Sequence, residues 1–178
     1  MSTPTPAASE NPKILVLGVG NLLMQDEGIG VHVARVLSER YAFDPEVDIV
    51  DGGTAGLELI DKIDEREQVL IVDAVDFDLK PGSMIKLQND EINAQLQDKM
   101  SLHHLGLTAV LSAAKLLDIQ PREICLIGIQ PHAMEVEVGL SPVITARFEE
   151  VLDGVVRQLV QWGVWVTRNH DELQEAIG

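Results

Sequence analysis

Three side chains in this sequence have the chemistry to share a transition-metal ion: Glu27, Asp73 and His103. Asp73 directly follows the apolar run Val69-Leu70-Ile71-Val72. A carboxylate placed there needs a partner, hydrogen bonds or a metal to offset its desolvation. Glu27 precedes one segment of helical apolar spacing, and His103, within Ser101-Leu102-His103-His104, precedes another. Two carboxylates and an imidazole form a mixed oxygen and nitrogen ligand set suited to a divalent transition ion, with positions left open for substrate. Each residue also has a plainer reading by itself. Asp73 would serve equally as a helix cap or a partner for loop amides. Glu27 would compensate a helix dipole, and His103 would be a surface or capping residue. No local metal motif joins them, so the case rests on the fold bringing all three to one place.

The elements that must do so are legible in outline. Ile14–Leu17 is a continuous apolar run ending at Gly18-Val19-Gly20, the pattern of a strand buried on both faces of a parallel sheet. Ile29, Val33, Val36 and Leu37 predict a helix from about Gly28 to Tyr41. Asp48-Ile49-Val50 reads as a short strand running into Asp51-Gly52-Gly53-Thr54, with Thr54 the expected cap of a short helix carrying Leu57 and Ile60. Gln68–Val72 is a third buried strand, and Ser83–Leu87 after the Pro81-Gly82 turn is an edge strand. A helix is expected through Leu107, Val110, Leu111, Ala114 and Leu117, then a strand over Glu123–Ile129. Ser141-Pro142 opens a last helix that Gly163 ends. Strands alternating with helices predict one three-layer α/β domain over 13–168, with a mostly parallel twisted sheet of about five strands. Residues 1–12 read as a disordered tail and 169–178 as a polar one. In such sheets ligands bind at the carboxyl ends of the strands, where Glu27, Asp51 and Asp73 all fall.

Several other chemistries are disfavoured. Gly18-Val19-Gly20 supplies only the first two glycines of a dinucleotide fingerprint; Leu23 stands at the third. Asp26 and Glu27 would also repel a pyrophosphate, so no nucleotide cofactor is expected. Cys125 lies inside a buried apolar strand, away from the electropositive setting that a catalytic thiol needs. There is no G-x-S-x-G elbow. His104 competes with His103, His132 follows the last long strand as a surface-loop or groove residue, and His170 sits in the polar tail. Asp76 and Asp78 read as loop solubility, while Leu22-Leu23-Met24 is either core or a contact surface.

Composition narrows the partners. With 13 basic and 29 acidic residues the net charge is -16, which argues against nucleic acid and anionic membrane. A single cysteine, a polar proline-rich start and the lack of any apolar run long enough for a bilayer point to a cytoplasmic protein, expected to act as a monomer.

Beyond these physical readings, the motifs Gly18-Val19-Gly20-Asn21, Asp26-Glu27-x-x-Gly30, Asp51-Gly52-Gly53-Thr54, Asp73-Ala74, Ser101-x-His103 and Gly139-Leu140-Ser141-Pro142 occur in order from Ile14 to about Gly163. In this combination the chain resembles the [NiFe]-hydrogenase maturation endopeptidases. The resemblance implies an α/β protease that removes a C-terminal peptide from the hydrogenase large-subunit precursor after nickel insertion. By motif position it assigns nickel contact to Glu27, Asp73 and His103, and substrate contact to the glycine-rich loop Gly52-Gly53-Thr54. It also implies that the nickel belongs to the substrate and serves recognition. Asp51 is an accessory candidate; the catalytic base is unassigned. The alternative is a non-enzymatic nickel chaperone or assembly scaffold for hydrogenase, using the same three ligands.

Overall fold

A computed structural model describes residues 12–97 and 105–169. His103, Ser101, His104 and His170 lie outside the described residues, as do the two expected tails apart from Pro12 and Asn169.

The unbroken apolar runs form the centre of the molecule. Strands β1 (Ile14–Val19), β3 (Val47–Gly53), β4 (Gln68–Ala74) and β6 (Glu123–Ile129) are parallel, and β5 (Met84–Gln88) joins β6 antiparallel. The spatial order is β3-β1-β4-β6-β5. Every residue of β4 is buried, as expected of a central strand covered on both faces. One face carries Val16, Leu70, Val72 and Ile127 against α1 (Ile29–Arg40) and α5 (Pro142–Gln161), through Val33, Leu37, Val151 and Val155. The other carries Leu15, Leu17, Ile71 and Leu126 against a short α2 (Ile60–Ile63), α3 (Asp90–Gln97) and α4 (Leu105–Leu116). The result is the expected three-layer α/β architecture, with β5 as the antiparallel edge.

Several details differ from the sequence reading. Strand β3 is longer than Asp48–Val50 because it continues through Gly53 beside β1. Thr54 caps no helix: a 3₁₀ turn over Gly56–Leu59 intervenes before α2, preceded by Ala55 and without a side-chain cap. Helix α3 was not anticipated, since only Ile92 and Leu96 of it reach the core. Nor was the two-stranded antiparallel ribbon of β2 (Tyr41–Asp44) with β7 (Trp165–Arg168). The start of α5 matches expectation closely: the Ser141 hydroxyl accepts from the Ile144 amide, with Pro142 in the first turn.

Candidate functional site

The carboxyl ends of β1, β3 and β4 open onto one cavity of about 210 Å³. Its polar wall carries Glu27, Asp73, Gly53 and Thr54, and its apolar wall carries Leu59, Leu107 and Val110. The fold thus brings two of the three expected metal ligands to one space. His103 is outside the described residues, although Leu107 of α4, four positions later in the sequence, lines the same cavity. Among the described residues no group of three His, Cys, Asp or Glu side chains is arranged to hold a metal.

Asp73 comes from β4 itself, its side chain shielded by the cavity walls and only 6% exposed. Burial pushes its carboxyl well above the usual carboxylate range. The hydrogen bond from the Ala74 amide opposes that shift, while the nearby charge of Glu27 adds to it. A carboxyl in this setting favours a proton or a nearby cation, because either relieves the cost of charge in a poorly solvated space.

Glu27 arrives by a different route. It lies in a 3₁₀ turn, Gln25–Gly28, that runs straight into α1. The turn sits close against the strand ends because glycines leave room for it. A Cβ at Gly20 would collide with the Glu27 carbonyl, and Gly20 adopts a φ of +142°. A Cβ at Gly30 would strike the Val72 and Val19 carbonyls at the ends of β4 and β1. These close approaches let the Glu27 turn pack against the strand ends, on the cavity that Asp73 also lines.

The remaining expected residues divide. Gly53 and Thr54 line the cavity, whereas Gly52 packs inward against Leu17 and Leu59. Asp51 is not among the lining residues. Its Oδ2 accepts from Arg35 Nη2 at 3.0 Å and Nε at 3.2 Å, and its Oδ1 accepts from the Gly53 amide at 3.1 Å. Asp51 therefore shapes the glycine turn from behind. His132 is exposed and does not border the cavity. The Cys125 thiol is buried, donates to Gln158 Oε1 at 3.8 Å, and is pushed up to about 11 by burial. That setting suits a structural cysteine.

Two positioning residues escape a sequence reading. Asp26, 1% exposed, accepts four hydrogen bonds from the segment after β6: from the amides of His132 and Ala133 at 2.9 Å, the Ser141 amide at 2.7 Å and the Ser141 hydroxyl at 2.8 Å. This buried clasp anchors the turn that carries Glu27. Gln130 does the same for the loop leaving β4. Its Oε1 accepts from the Phe77 and Leu79 amides, and its Nε2 donates to Asp76 Oδ1. Asp76 also accepts from the Asp78 amide, so it is a loop organiser rather than a mere solubility residue. The only local signal for the clasp was an acid next to Glu27. Its partners lie more than 100 residues away.

Fold and site together define a mostly parallel α/β protein with two acids in a cleft at the carboxyl edge of its sheet. Comparison with known proteins sharpens this class. The family model described as hydrogenase maturation protease matches residues 31–158. The hydrogenase 2 maturation protease of Escherichia coli (strain K12) is 41% identical over 85% of this chain and 93% of its own length. The hydrogenase expression/formation protein HupD of Bradyrhizobium diazoefficiens is 39% identical, over 96% of this chain and 90% of its own. Among solved structures, the hydrogenase maturating endopeptidase HybD from E. coli superposes with a TM-score of 0.83 at 39% identity, covering 90% of this chain and 99% of that one. The chain belongs to the hydrogenase maturation protease family and is a hydrolase.

Proposed function

We propose that this endopeptidase removes a C-terminal peptide from the hydrogenase large-subunit precursor once nickel has been inserted, recognising that nickel through Glu27, Asp73 and His103. One observation carries the reading: a buried Asp73 and Glu27 line one cavity, and the charge of Glu27 adds to the cost of charge on Asp73. A divalent ion relieves that cost, and an ion already held by the substrate would do so only when the correct precursor is docked. The nickel is part of the substrate, and no nucleotide enters the reaction. Gly53 and Thr54 line the same cavity as the acids, and in this reading they contact the substrate peptide. The enzyme acts as a monomer in the cytoplasm, with neither nucleic acid nor membrane as a partner, in keeping with its net charge of -16.

The test is incubation with nickel-loaded large-subunit precursor followed by intact-mass analysis. Loss of a C-terminal peptide is the expected result. A precursor of unchanged mass that nevertheless binds the protein would favour the chaperone or scaffold role.

A further inference from the structure

The segment that Asp26 holds also carries an exposed apolar arm. Val136 is 84% exposed and Val138 is 77% exposed, on either side of Glu137. Glu137 faces the other way: its backbone carbonyl accepts from the Gln25 amide at 2.9 Å, and its Oε2 accepts from Gln25 Nε2 at 3.0 Å. A parallel bridge between Met24 and Glu137 sets the register. Leu23, itself 61% exposed, immediately precedes the bridged Met24, as Val136 immediately precedes Glu137. Three large exposed apolar side chains therefore lie on two bridged segments, Leu23 just ahead of the turn that carries Glu27 and the valines on the segment after β6.

This rim is built to stay in place. The Asp26 amide donates to the Ala133 carbonyl at 3.1 Å, and the Asp26 carboxylate takes the amides of His132, Ala133 and Ser141. Exposed Leu116 lies at the far end of α4, away from Leu107 and the cavity. An ordered apolar patch in a chain of charge -16 is costly to display unless something covers it. Glu135 and Glu137 flank the patch, so a polyanion or an anionic lipid surface is a poor fit and an apolar protein surface is a good one. Gln25, which bonds Glu137 between the two valines, stands two positions before Glu27 of the cavity wall, so an occupant of the rim approaches alongside whatever enters the cavity.

We propose that Leu23, Val136 and Val138 form the docking rim for the precursor chain, gripping an apolar stretch next to the peptide bond to be cut. This rests on the processing role proposed above and adds the surface that selects the substrate. The rim supplies binding and no chemistry, so its loss should raise KM and leave kcat unchanged.

The experiment pairs Val136→Ser/Val138→Ser with Leu116→Ser, an equally exposed control remote from the rim. Both are read by processing kinetics and by direct binding to immobilised nickel-loaded large-subunit precursor. Because the altered side chains are exposed, both proteins should keep the wild-type melting temperature. The double variant should show KM and Kd raised about tenfold with kcat retained, while the control matches wild type. Unchanged KM and Kd in the double variant would overturn the rim. Weaker binding by the double variant alongside a wild type that binds but never cleaves would support the rim and refute the peptidase reading instead. Equal loss in the Leu116→Ser control would also overturn it, since the effect would then not be local.

Discussion

Removing the Asp26 carboxylate should unfasten the site without touching the cavity directly. Its Oδ2 serves three donors, the amides of His132 and Ala133 and the Ser141 hydroxyl, while Oδ1 serves the Ser141 amide. In Asp26→Ala all four lose their acceptor. Water can reach the partly exposed His132 and Ala133 side, but Ser141 is 2% exposed. Its two donors are therefore stranded, at about 1–3 kcal/mol each, for a total of about 4 kcal/mol. For a chain of this size that corresponds to a fall in Tm of about 8–16 °C. Asp26→Asn is gentler. With its single oxygen turned to the three-donor side, only the Ser141 amide meets an NH₂ group, at about 2 kcal/mol and thus about 4–8 °C. Calorimetric melting gives both values, and amide exchange at Ala133 and Ser141 locates the loss. The ordering wild type, Asn, Ala is the signature of a clasp. An Asp26→Ala protein melting within about 2 °C of wild type would refute it, since surface substitutions away from such features stay near ±0.5 kcal/mol.

Three further expectations follow from the same geometry. Burial raises the Asp73 carboxyl, so the folded state holds that proton more tightly than the unfolded chain and loses stability as pH rises from the unfolded value toward the folded one. In chelator-treated protein Asp73→Asn should therefore melt higher than wild type at neutral pH, with the gain vanishing below about pH 4, where both states are protonated. A gain independent of pH would contradict this. Cys125, pushed up to about 11 and buried, should resist a thiol reagent at pH 8 in the native protein and react at once in denaturant; rapid native labelling would contradict its structural role. Glu27→Gln should abolish processing while moving Tm little, whereas a purely helix-dipole role, worth about 0.3–1 kcal/mol, would leave processing intact.

What the sequence disclosed follows from the range over which each signal acts. Strands β1, β4 and β6 are unbroken apolar runs, and burial on both faces leaves that mark in any single sequence. The Ser141-Pro142 cap is equally local. Helix α3 stayed hidden because its eight residues send only two side chains to the core, too few for a periodic pattern. The β2–β7 ribbon pairs residues 121 to 127 positions apart, Tyr41 with Arg168 being the most distant, so four-residue strands had nothing nearby to declare them. Thr54 misled because a good capping residue precedes a turn that begins at Gly56 with a φ of +62°. At the site, Glu27 and Asp73 were legible as acids at strand or helix ends. Their supports were not: the clasp from Asp26 to Ser141 and the hold of Gln130 on Phe77 are purely tertiary.

The central claim is that the acids read nickel in the substrate, and its most direct measurement is a side-by-side digestion of nickel-loaded and nickel-free large-subunit precursor, scored by intact mass. Wild-type enzyme should trim the loaded precursor and leave the nickel-free form whole, and a folded His103→Ala variant should trim neither. Equal trimming of both precursors by the wild type, or normal trimming by His103→Ala, would contradict recognition through Glu27, Asp73 and His103.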